Sequence, residues 1–134
     1  MAVLAFLAET FALMEPSTNF SELIVWKKAH QFVVKTYVVT KSFPKEELYG
    51  LTSQFRRAAV SVAANIAEGF ARRGLRDKLR FYNYAKASLQ ECKYYLLLAK
   101  DLCYQSDPTM SELAEEVGKL LYSYGRTIQR NVDP

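Results

Sequence analysis

Histidine occurs once in this chain of 134 residues, at His30. A lone histidine with no neighbouring Cys/His cluster excludes the usual zinc spacings. The Glu-x-x-His pairs from which helical bundles build di-iron sites are missing as well. Neither G-x-x-x-x-G-K-[ST] nor G-x-G-x-x-G occurs, which removes the common phosphate-cradling loops. No Ser or Cys nucleophile has an identifiable base. Glu68 and Glu91 are the carboxylates that could form a pair, and spacing alone does not bring them together. The chain therefore reads as a non-enzyme, with no catalytic residue, metal or cofactor.

Cysteine is scarce too. Cys92 and Cys103 fall eleven apart in one predicted helix, a separation of roughly 16 Å along its axis, so they cannot bridge within it. They read as reduced, buried thiols of a cytoplasmic protein. Only five Gly and four Pro interrupt a sequence that is 50% apolar, the composition of a single, mostly helical domain rather than a disordered chain. No run of apolar residues is long enough for a membrane span. The opening MAVLAFLAETFALMEP is apolar, but it has no basic flank and carries Glu9, which suits a signal peptide poorly. Residues 1–18 read as a leader, either poorly ordered or an extra helix, and residues 19–134 as the domain proper.

Charge is unevenly spread. Residues 51–100 hold ten Lys/Arg against three Asp/Glu, residues 1–50 are balanced, and residues 101–134 are acidic, for a net charge of +4. A local basic excess favours an anionic partner, of which nucleic acid is the commonest. A solvated basic face that pairs with acidic surfaces of the same protein accounts for it equally.

Four helices follow from periodicity and breakers. The first runs from about Phe20 to Lys41, with Leu23, Trp26, His30, Val33 and Tyr37 on one apolar stripe. On that stripe His30 reads as a satisfied, partly buried side chain rather than a base or ligand. Pro44 ends the helix and opens a short turn before Tyr49. The second runs from about Leu51 to Arg72, with Gly74 marking its end. The third runs from about Leu75 to Tyr104, and the fourth from a cap at Asp107 and Pro108 to about Arg130. Short connections between long helices predict an all-α, antiparallel, up-down-up-down four-helix bundle.

The stretch RRAAVSVAANIAEGFARR, from Arg56 to Arg73, is the most informative. At about 100° per residue, Phe55, Ala59, Val62, Ile66, Gly69 and Phe70 share one arc, and Arg57, Ser61, Asn65, Glu68 and Arg72 share another. Glu68 and Arg72 stand in the favourable i,i+4 order for an ion pair. The small residues Ala58, Ala59, Ala63, Ala64 and Ala67 let more than one neighbouring helix approach. The polar line Ser61–Asn65–Glu68 is then a water-facing stripe, a subunit-interface network or a ligand site.

LIVWKKAHQFVVKTY, SFPKEELYGLTSQFRRAAVSVAANIAEGF and RFYNYAKASLQECKYYLLLAKDL together resemble one bacterial family. It is the four-helix-bundle family encoded by intervening sequences in 23S ribosomal RNA genes, with the accessory variability protein of diversity-generating retroelements as a relative. The most specific part lies between Phe43 and Gly69, and the likeness extends over about Asn19 to Arg130. The resemblance implies a homopentamer with a central channel and a basic surface suspected of binding nucleic acid. For the retroelement relative it implies binding to a reverse transcriptase and RNA. It implies no enzyme activity. Ala63 and Ala64 stand where members often have Pro and Ser, which leaves the second helix straighter. Gly74 stands where members often have Ser, so the third helix lacks a side-chain cap.

The expected function is that of a cytoplasmic, non-enzymatic oligomer that binds RNA or DNA at the corner between the second and third helices. The candidate contacts are Arg56, Arg57, Arg72, Arg73, Arg76, Lys78, Arg80 and Lys86, because guanidinium forks and free helix N–H groups suit phosphate. Phe70, Phe81, Tyr82 and Tyr84 are interleaved with them. Exposed rings could stack on unpaired bases, although Phe81 and Tyr82 also fit a core. The alternative is an interaction scaffold for a protein partner, with the arginines in inter-subunit ion pairs.

Overall fold

A few short-range bonds set the helix boundaries. The computed structural model describes residues 17–133. All of the predicted leader except Ser17 and Thr18 lies outside them. Asn19 accepts from Ser21 N–H at 3.0 Å and caps a single 3-10 turn, Phe20–Glu22. Leu23 is extended, so α1 spans Ile24–Thr40 and begins later than the periodicity predicts. A second 3-10 turn, Lys45–Glu47, follows Pro44. Helix α2 spans Leu51–Ala71, α3 Leu75–Asp101 and α4 Pro108–Val132. Asp107 caps α4 as its residue type predicts, accepting from Thr109 N–H at 2.9 Å.

Two helix ends differ from expectation. Helix α2 stops because Arg72 turns extended, and Gly74 serves as the residue before α3, with φ −79° and no left-handed turn. Helix α3 stops short of Tyr104. Cys103 takes φ 60°, while Cys103 N–H bonds Lys100 O at 3.0 Å and Tyr104 N–H bonds Ala99 O at 2.9 Å. That is the Schellman arrangement, with cysteine where glycine is usual.

Each helix packs on its neighbours in sequence, and α4 closes against α1, while the Cα atoms of diagonal helices nowhere come within 8 Å of one another among the described residues. Side-chain pairs give the directions. Lys28 meets Glu116 and Lys35 meets Asp107. Gln54 meets Tyr95 and Ser61 meets Ser88. Lys93 meets Glu115 and Arg76 approaches Asp133. As one number of each pair rises the other falls, so these neighbours run antiparallel in a four-helix bundle.

The core sits between the four helices, with Phe32, Phe55, Ile66, Met110 and Leu121 among its largest buried side chains. The predicted face of α2 holds, and α4 buries Met110, Leu113, Val117 and Leu121. The face of α1 is rotated: the buried residues are Val25, Ala29, Phe32, Thr36, Val39 and Thr40. Apolar residues surround α1, so the apolar stripe chosen from sequence was one of two. His30 is exposed and stacks on Trp26, with ring centroids 4.9 Å apart, rather than lying partly buried. The cysteines also part company: Cys92 is buried in α3, and Cys103 is exposed beyond its end.

Candidate nucleic-acid interface

The structure gathers five of the eight predicted cations at the corner where α2 gives way to α3. Arg72, Arg73, Arg76 and Arg80 are exposed there. The Arg72 guanidinium lies 4.5 Å from the centroid of the Phe81 ring, and that of Arg80 lies 5.2 Å from it. Phe81 is itself buried, so an aromatic anchor holds two guanidinium groups at the surface. Arg80 also meets Asp77 at 2.7 Å, and Arg76 approaches Asp133 at 3.9 Å. Arg73 has no ion-pair partner among the described residues.

Lys78 faces inward. Its ammonium donates to Phe70 O at 2.8 Å and to Gly69 O at 3.2 Å. These carbonyls belong to the last turn of α2, where Gly69 O also accepts from Arg72 N–H at 3.3 Å, and a cation there also suits the helix dipole. Burial lowers the pKa of Lys78. The close fit depends on Gly69, where a Cβ would lie 3.2 Å from the Phe81 Cβ.

The other three predicted contacts lie elsewhere. Arg56 and Arg57 are on the far part of α2, about 24 Å along its axis from Arg72. Arg56 is half-buried and donates its Nε to Thr40 Oγ1 at 2.8 Å. Arg57 lines a polar cavity between α2 and α3. Lys86 turns to α4, where its ammonium lies 5.8 Å from the Tyr122 ring centroid.

The polar line of α2 divides. Ser61 Oγ meets Ser88 Oγ at 2.8 Å, and Asn65 Nδ2 donates to Ser61 O at 2.8 Å and to Ser61 Oγ at 3.0 Å. Together they form a polar seam between α2 and α3, beside a cavity of about 370 Å³ that Gln54, Glu91 and Tyr95 also line. The Tyr95 hydroxyl is 3.2 Å from carboxylate and amide oxygens of Glu91 and Gln54. Its pKa is raised, first by desolvation and then by Glu91. Ser88, Glu91 and Tyr95 were not predicted as partners, although their spacing of three and four marks one face of α3. Glu68 is exposed and outside the seam, and the predicted ion pair with Arg72 does not form, because that guanidinium lies on Phe81 instead. Glu68 and Glu91 stand at levels of the bundle about 15 Å apart, too far for a shared-proton pair. Among the described residues no group of three His, Cys, Asp or Glu side chains is placed to hold a metal ion, and no helix is long and apolar enough to cross a membrane.

Residues 21–123 match the family model described as 23S rRNA-intervening sequence protein. A crystal structure from Bacteroides thetaiotaomicron VPI-5482, described as a protein with unknown function from the S23 ribosomal protein family, is similar with a TM-score of 0.69. The two are 24% identical, and the alignment covers 77% of this chain and 96% of that one. At that identity the likeness concerns the fold. No curated protein matches the chain.

Proposed function

Since the chain belongs to the 23S rRNA-intervening sequence protein family, we propose that it is a non-enzymatic, cytoplasmic homo-oligomer that binds nucleic acid through the α2–α3 corner. The observation that carries this reading is the cluster of four exposed arginines within nine positions, Arg72 to Arg80. Two of them are held on Phe81, and Asp77 and Asp133 are the carboxylates that answer them. A guanidinium held over a ring has lost part of its freedom before a phosphate arrives, so binding costs less ordering. Assembly into the pentamer that the resemblance implies would repeat the corner five times, and weak contacts would add through multivalency.

A second reading, a scaffold for a protein partner, is supported by Ile24, Val34 and Val38, which are exposed on one side of α1. The two readings separate by experiment. Fluorescence anisotropy of labelled structured RNA, single-stranded DNA and duplex DNA, titrated across a salt series, should show log affinity falling linearly with log salt. Replacing Arg72, Arg73 and Arg76 by Glu should abolish that binding and leave the oligomer intact. Loss of the oligomer would make those arginines interface residues. No binding at low salt would leave the scaffold reading.

A further inference from the structure

We propose that the furrow between α3 and α4 is a track for single-stranded nucleic acid, entered from the α2–α3 corner. This rests on the nucleic-acid reading above and goes beyond it in naming a path and a kind of strand. Four cavities, of about 290, 540, 360 and 400 Å³, line up along this one seam. Neighbouring cavities share lining residues: Lys93, then Lys86, then Leu79 with Asn83. The last reaches Arg76 and Arg80, which belong to the corner.

Cations line the seam on both sides. Helix α3 contributes Lys100, Lys93, Lys86, Arg80 and Arg76, and α4 contributes Lys119, Arg126 and Arg130. The lining carboxylates are Glu115 and Asp133, which meet Lys93 and Arg76. Asp77 meets Arg80. Lys100, Lys86, Lys119, Arg126 and Arg130 have no ion-pair partner among the described residues. Lys86, Lys93 and Lys100 recur every seven residues, as do Lys119 and Arg126. Seven residues of helix advance about 10 Å, so each wall offers positive charge at near-regular intervals. A regular row suits a linear polyanion better than a compact anion.

The floor is kept low by two glycines of α4. A Cβ on Gly125 would lie 3.1 Å from the Lys86 ammonium, and one on Gly118 would lie 3.7 Å from that of Lys93. The lysine stems lie across the α4 backbone there. Adjacent helices stand about 8–10 Å apart, and the furrow between them is too narrow to admit a duplex. Unpaired bases find rings beside it: Tyr122 is 59% and Tyr84 48% exposed. Such rings in a basic groove are the usual means of holding single strands without sequence preference. From Arg76 to Lys100 the track is about 36 Å long, which at about 3.4 Å per stacked nucleotide accommodates about ten. The same charge row disfavours self-association across this face.

The test compares a labelled single-stranded 12-mer, as DNA and as RNA, with a 4-mer, the corresponding duplex and a polyglutamate of matched charge, by anisotropy. Lys119 and Arg126 are exposed and lie away from the corner. The K119E/R126E variant should weaken 12-mer binding at least tenfold with its melting temperature unchanged, and K119Q/R126Q should do so less steeply. Tyr122→Ser should cost about fivefold or more, the smallest effect expected of one lost stack. The 4-mer should bind far more weakly than the 12-mer. If K119E/R126E binds the 12-mer as the wild type does while corner variants do not, the track is wrong and the corner stands. Duplex or polyglutamate binding as tight as that of the single strand also overturns the track. Wild-type protein that binds no nucleic acid removes the underlying reading.

Discussion

Arg56 donates its Nε to Thr40 Oγ1 at 2.8 Å and sets its guanidinium 4.7 Å from the Tyr37 ring centroid. Thr40 is buried, and its hydroxyl also donates to Thr36 O at 2.7 Å. One arginine therefore ties the end of α1 to α2 at a point where burial makes an unmet polar group costly. Arg56→Ala should destabilise the fold by about 1–2 kcal/mol through the lost hydrogen bond and stacking. Arg56→Lys should recover only part of this, because a point charge replaces a planar fork. Denaturant titration checks the loss, and the affinity for RNA should barely change.

Gly69 makes a second structural prediction at the corner. A Cβ there would lie 3.2 Å from the Phe81 Cβ, 3.4 Å from Tyr82 Cε1 and 3.5 Å from Lys78 O. Helical backbone is compatible with alanine, so space decides the outcome rather than conformation. Gly69→Ala should force α2 away from the start of α3 and cost about 1–3 kcal/mol. Because Phe81 anchors Arg72 and Arg80, nucleic-acid affinity should fall with stability. Arg73→Glu should lower affinity alone. Paired melting and anisotropy curves for the two variants make the comparison.

The bundle was legible because α2 and α4 each carry one apolar face and all four helices lie between recognisable breakers. The α1 face was not, since Leu23, Trp26, Val33 and Tyr37 compete with Val25, Phe32 and Val39 for the inside, and tertiary packing chooses. The corner was legible as a charge cluster. That Lys78 turns inward to carbonyls while Arg73 stays free was not, because composition assigns both the same sign. Lys93, Lys100, Lys119, Arg126 and Arg130 do not stand out in the sequence for another reason. They are spread singly along two successive helices rather than clustered in sequence, and the acidic balance of residues 101–134 hides the basic side of α4.

The two thiols should behave differently. Cys92 is buried, and its pKa is pushed up to about 12, first by desolvation and then by Glu91. Cys103 is exposed. A thiol reagent at mild alkaline pH should label one cysteine per folded chain and two after unfolding. The raised value also sets a pH dependence. The unfolded thiol ionises near 9.0, so the preference for the protonated form stabilises the fold fully below that pH. This contribution is lost as pH rises from there toward about 12. Cys92→Ala should flatten the fall in melting temperature over that range, although it lowers stability at neutral pH. Cys103→Gly should act the other way, raising stability by about 1 kcal/mol by relieving the positive φ.

Self-assembly supplies the last prediction. Ile24, Val34 and Val38 are 58%, 50% and 62% exposed, and they fall within an arc of about 80° on α1. Exposed apolar residues in a line, on a helix whose other side is already buried, suit contact with another protein surface. The α3–α4 furrow is a poor site for self-contact because its charges repel. If α1 supplies the oligomer interface, V34E/V38E should shift the mass in light scattering toward the monomer while each chain still melts cooperatively. Affinity for a long RNA should then fall steeply, and affinity for a 12-mer should change little, because only the long ligand engages several protomers at once. An unchanged mass would move the interface off α1 and leave that face for a protein partner.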